Sequence, residues 1–202
     1  MLDAREIARH LVRIGCPPDA EDDAVLLTPL HLQKVLYYCQ GWHLALLGEP
    51  LFRQPIEAWK NGPVVRDVYD LFARSREGIT PAMIGEPSAS LSTTTADLLL
   101  MVWRECARLT PLELADKTHR EPAWAEKRVG LPPDARSDAE LSLDTMRAYF
   151  AAEAKKLAAA DGQFPPLDPA GVWQADRQLE RSGGRGIPAA EAMRRAKAAR
   201  VA

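Results

Sequence analysis

Residues 32–65 read LQKVLYYCQGWHLALLGEPLFRQPIEAWKNGPVV, and the order of apolar and chain-breaking residues in them decides the fold. The apolar run up to Leu47 stops at Gly48 and Pro50, the punctuation of a helix C-terminus. Leu32, Val35, Leu36, Cys39, His43 and Leu46 share one face of that helix, and Gln33, Lys34 and Gln40 lie away from it. Upstream, Thr28-Pro29 supplies an N-cap hydroxyl and a proline at the first helical position, where its missing N–H costs nothing. Leu51 to Lys60 is extended, and Pro55, which cannot donate to a ladder, confines it to an edge strand or a small hairpin ahead of Asn61-Gly62. Pro63 is then expected to open a further helix with Val64, Val65, Val68, Leu71 and Phe72 as its apolar positions.

Outward from this segment the chain stays helical. Asp3 and Glu6 start a first helix whose stripe is Ile7, Leu11 and Ile14; Gly15 and Pro17-Pro18 stop it before an acidic loop. Ser75 to Ser90 reads as a loop rich in Gly, Pro and Ser. A helix from about Thr94 to Leu109 is nearly apolar all round at Leu98–Trp103, which predicts a place in the centre of a bundle. Thr110-Pro111-Leu112-Glu113 has the form of a capping box, Pro122 leads a short helix through Arg128, and a last helix starts near Ser142 with Leu143, Met146, Phe150 and Leu157 inside. The predicted fold is mainly α: a compact helical bundle over residues 1–161 with a small β-hairpin or edge-strand element, followed by a flexible C-terminal tail.

That tail, residues 162–202, has few large aliphatic side chains, two proline or glycine pairs and seven Lys+Arg against four acids. Its net +3 leaves −5 for residues 1–161 of the chain's total −2. A basic, weakly apolar segment of this kind cannot bury enough surface to order by itself, and Phe164, Leu167 and Trp173 are its candidate docking anchors. A total charge of −2 argues against nucleic acid as the primary partner. The apolar run Leu98–Trp103 is far below the roughly 20 residues that span a bilayer. No secretory apolar segment opens the chain, so a cytoplasmic protein is expected. Cys16, Cys39 and Cys106 are too widely spaced for a disulfide framework or a zinc site, and the last two sit in core pattern.

Catalytic signatures are weak. His31 and His43 are twelve residues apart on one helix and cannot share a metal, so a hydrolase would have to assemble His43, Glu57 and His119. Cys39 lacks a neighbouring base to lower its pKa. No phosphate loop or nucleophile elbow is present, and neither a cofactor nor a metal is expected. A DNA-binding autoregulator would need a basic recognition helix, whereas the helix after Pro111 is acidic. The costly residues are aromatic. Trp42, Trp59 and Trp124 are candidate core residues or recognition anchors, since Trp buries a large area yet keeps a donor.

Taken together, Q-K-x-L-Y-Y, G-W-H, E-A-W-K-x-G-P-V and the later Thr118-His119, Pro122, Trp124 and Arg128 resemble the Panacea domain of SocA-like antitoxins. The resemblance spans about residues 27–150. It implies an antitoxin that binds and neutralises a protein toxin, and in SocA-like proteins neutralisation can run through delivery to an AAA+ protease of the ClpXP type. With the aromatic cluster and the lack of catalytic machinery, this makes Trp42, His43, Trp59, Lys60, Asn61, Pro63, His119 and Trp124 the candidate partner-binding residues. Two positions depart from the family pattern: Cys39 where alanine is common, a volume-tolerant core change, and Asn61 where an aromatic residue is frequent, a change at the turn surface that bears on partner specificity.

Overall fold

Helix starts are where the chemistry of single residues shows first, and the computed structural model, which describes residues 1–15, 27–73, 75 and 78–159, has them where cap chemistry demands. Thr28 caps α2 (Pro29–Leu47) by accepting from the His31 N–H, and Gly48 closes it in the left-handed conformation. Ser92 caps α5 (Thr93–Cys106). Thr110 and Glu113 form the expected capping box on α6 (Pro111–His119), and Pro122 leads α7 (Pro122–Arg128). Thr110→Ala removes the side-chain acceptor for the Glu113 N–H, so the midpoint of urea unfolding should fall by the equivalent of about 1 kcal/mol.

Two further helices frame the molecule: α1 (Ala4–Gly15), with Ile7, Leu11 and Ile14 buried as its stripe predicts, and α8 (Leu143–Ala159). Of the four residues assigned to the inside of α8, Met146 and Phe150 are buried, Leu157 is half-buried and Leu143 is exposed. The short helices α3 (Arg66–Phe72) and α4 (Pro81–Ile84) lie between the hairpin and α5, the second of them inside the segment read as loop. The β element is an antiparallel hairpin of β1 (Glu57–Trp59) and β2 (Gly62–Val64), in register Glu57↔Val64, Ala58↔Pro63, Trp59↔Gly62. Residues 139–141 cover the free edge of β1: Ala58 N–H donates to Ala139 O and Leu141 N–H to Ile56 O. The chain beyond residue 159, with Phe164, Leu167, Trp173 and the expected flexible tail, lies outside the described residues, as do Cys16 and the acidic loop.

The centre of the bundle is α2, not α5. Every residue from His31 to Gly41 is buried, and α2 packs against α1, α3, α5, α6, α8 and the hairpin. Helix α5 lies to one side and leaves Arg104 and Glu105 exposed, since its apolar run is only about a turn and a half long.

Burial of α2 on all sides also encloses the polar residues that lie away from its apolar face. Gln33, Lys34 and Gln40 are all buried, and each staples backbone that has no regular partner. Gln40 Oε1 accepts from Leu51 N–H and Phe52 N–H while its Nε2 donates to Phe52 O. Gln33 accepts from Val65 N–H at 2.8 Å and Lys34 Nζ donates to Pro63 O at 3.0 Å. These bonds explain a second correction. Pro63 does not begin a helix: its carbonyl and the Val65 peptide are engaged by α2 side chains, so residues 62–64 stay extended and α3 begins at Arg66.

Candidate partner-binding face

At the tip of the hairpin, Lys60 and Asn61 form an exposed two-residue turn, and Gly62 takes the positive φ of +95° that lets the chain double back. Behind the turn the aromatic residues interlock. Trp124 Nε1 of α7 donates to Trp59 O at 2.8 Å, tying the turn to the α6–α7 corner. The Trp124 ring carries the His119 imidazole on one side, with centroids 4.1 Å apart and planes 21° apart, and the Arg128 guanidinium lies 5.5 Å from its centre. Arg128 is buried by its own hydrogen bonds: it donates to the carbonyls of Pro132, Pro133 and Ala135, and so pins the loop after α7.

Trp59 is held from the other side. Its Nε1 donates to Glu57 at 2.6 Å, its ring meets Tyr69 edge-on at 4.7 Å, and Arg66 sits over it while gripping both oxygens of Glu57. Trp59 and Trp124 are each half-buried, so each keeps an open edge beside the exposed turn. Pro63 is buried, and its carbonyl accepts from Lys34 Nζ, so it offers no contact area of its own.

The electrostatics of this corner favour neutral rings over charged ones. Burial, reinforced by the positive charges of Lys34 and Arg128 and opposed by Asp116, lowers the pKa of His119 below the usual imidazole value. Its Nε2 is buried without a hydrogen-bond partner. Lys34, fully enclosed, is pushed down to about 7 by desolvation.

Trp42 and His43 are not part of this corner. They lie eight and nine residues further along α2 than Lys34, roughly 12–13 Å at the helical rise. Trp42 packs edge-on against Phe150, and His43 Nδ1 donates to Glu49 O just past the helix end. His43 is thus bonded to a backbone carbonyl and half-buried. The hydrolase arrangement of His43, Glu57 and His119 is not assembled: His43 is at the far end of α2, Glu57 is gripped by Arg66, and His119 is stacked on Trp124. Among the described residues no three His, Cys, Asp or Glu side chains are placed to hold a metal ion. An open cleft of about 450 Å³ lies elsewhere, between α1 and Leu71, where Asp3 pairs with Arg5 and Glu6 with Arg9.

One functional support escaped the sequence reading. Tyr37 and Tyr38 both donate to the buried carboxylate of Glu121, at 2.6 and 2.8 Å, and Lys117 lies over the Tyr38 ring. Burial raises the pKa of Glu121 while the two hydroxyls and the Lys117 charge hold it down; burial wins. Arg120 and Glu121 join α6 to α7, so this network fixes the angle at which His119 and Trp124 meet the hairpin. Its signal was present as adjacent tyrosines and a glutamate before a proline, but nothing local pairs residues 83 and 84 positions apart. Glu121→Leu strands two buried hydroxyls and should lower stability by about 1–3 kcal/mol for each in urea unfolding, whereas Glu121→Gln, which can still accept, should cost less.

Comparison with known proteins agrees with the resemblance noted in the sequence. Residues 32–125 match the family model described as antitoxin SocA-like, Panacea domain. No curated protein and no solved structure matches the chain. The matched segment begins in α2, contains the hairpin and ends in α7, so it holds Trp59, the turn, His119 and Trp124 but not Arg128, α1 or α8. Over residues 32–125 the chain is thus similar to the Panacea domain of SocA-like antitoxins.

Proposed function

We propose that the chain is an antitoxin that binds a cognate protein toxin through the face made by Trp59, Lys60, Asn61, His119 and Trp124, with Trp42 and His43 forming a separate contact region at the far end of α2. The observation that carries the antitoxin reading is the similarity to the Panacea domain over residues 32–125. What supports the placement is mechanical. An exposed turn sits on an aromatic base whose every member is tied to a different helix, so little side-chain freedom remains to be lost on binding. Domain boundaries at 1–161 and 162–202 belong to the same proposal. The tail acts as a tether through Phe164, Leu167 and Trp173, presenting bound toxin to a ClpXP-type unfoldase in the cytoplasm, where tethering raises effective concentration. No described helix is long and apolar enough to cross a membrane.

Co-expression tests the core of this reading. The neighbouring open reading frame should arrest growth alone and be tolerated with this chain; a frame that is harmless alone removes the proposal. Lys60→Glu combined with Asn61→Arg changes only exposed side chains and should weaken toxin capture at least tenfold with unchanged thermal stability, as measured by calorimetry on purified proteins. Deleting residues 162–202 should leave capture intact and slow toxin turnover.

A further inference from the structure

Lys34 is the most deeply buried charge-bearing side chain of the corner, and a partner-binding role for the face leaves it unexplained. It is fully enclosed, and among the described residues it makes no ion pair. Its Nζ has one hydrogen bond, to Pro63 O of β2. The fit is tight: a Cβ on Gly62 would come within 2.6 Å of Nζ and 2.7 Å of Thr118 Oγ1, so α2, β2 and α6 close on one point.

We propose that Lys34 is a proton-operated latch on the hairpin: the neutral amine keeps β1–β2 seated on α2, and the ammonium drives the hairpin to lift so that water reaches Nζ. A neutral amine needs little beyond its one acceptor, whereas an enclosed ammonium needs either an anion or water. The surrounding groups supply no anion. On the hairpin, Glu57 is held by Arg66 and Trp59, and Lys60 is exposed. On α6, Asp116 and Lys117 are exposed and His119 is disfavoured as a cation. At α7, Glu121 is bound by two tyrosines and Arg128 is another cation; on α2 itself the neighbours are His31, Tyr37 and Tyr38.

The hairpin is the element that gives way. Its strands are three residues each, and a two-stranded hairpin has little stability of its own. Desolvation holding the amine near 7, against the ordinary 10.5 once water reaches it, agrees with this geometry. Opening then gains about tenfold in population between about pH 8 and pH 6, because the open form holds its proton over the whole interval, so opening takes up nearly a full proton above about pH 7 and little below it.

Hydrogen exchange in the full chain tests this without any partner. After correction for intrinsic rates, protection of amides in residues 56–65 should fall about tenfold from pH 8 to pH 6. The fall should vanish in Lys34→Met, and unchanged protection in the unsubstituted chain, or an equal fall in Lys34→Met, overturns the latch. If Lys34→Met does not fold, the Lys34 Cε resonance of the unsubstituted chain decides: a titration midpoint below about 9 supports the proposal and one above it overturns it.

Discussion

Phe150→Ala is expected to destabilise the protein by about 3–5 kcal/mol, read as a lower denaturant midpoint at unchanged m-value. Phe150 of α8 is 1% exposed and is ringed by aromatics, with Trp42 and Tyr149 at 5.2 Å and Tyr37 and Tyr38 at 5.7 and 5.9 Å. Its ring also occupies the volume a Cβ on Gly41 would need, so the two helices touch backbone to ring. Gly41→Ala in the unsubstituted chain should therefore cost about 1–3 kcal/mol through overpacking. In the Phe150→Ala background the same substitution meets no ring and should cost less. That non-additivity distinguishes a steric lock from two independent effects. A loss below about 1 kcal/mol for Phe150→Ala would show that α8 is dispensable to the core. The point matters because α8 lies beyond the residues that match the Panacea family, yet it closes the long side of α2.

The second large effect is a pH dependence. Burial lowers Lys34 from 10.5 to about 7, so the unfolded chain binds more protons than the folded one between those values. Stability should rise with pH through that interval, by about 1.4 kcal/mol per pH unit where the difference is a full proton, and level off below about 7. The buried thiols act the other way above their ordinary 9.0, because Cys39 is raised and Cys106 is pushed up to about 12. Urea unfolding between pH 7.5 and 8.5 isolates the lysine. Lys34→Met should flatten the slope there, and it trades one bond to Pro63 O for an uncharged chain of similar length. A Lys34→Met protein with the original slope would mean that another group carries the dependence.

These expectations separate what each level of description contributed. Cap chemistry is local, so Thr28-Pro29, Gly48, Thr110–Glu113 and Pro122 placed their helix ends correctly from sequence. Pro55 and Gly62 likewise marked the hairpin, although its second strand was hidden by a proline that usually opens helices. That Gln33, Lys34 and Gln40 are buried was not legible in the sequence, for a definite cause. Periodicity sorts residues by polarity, and a helix buried on all sides has no solvated face to sort them onto. Polar residues there are placed by the peptide groups that lie nearby, and those belong to residues 51–65.

The aromatic segment at residues 32–65 shows the same division. Sequence alone determined a mainly helical protein with a small hairpin or edge-strand element, and the motifs that resemble a Panacea domain. Tertiary structure alone decided that Trp59 and Trp124 share a corner with His119 while Trp42 and His43 stand at the other end of α2. It also decided that α2 is the axis and that Tyr37, Tyr38 and Glu121 meet. The reason is range. Capping and turn formation act over three or four residues, whereas burial of a polar group is settled by whichever distant segment can complete its hydrogen bonds.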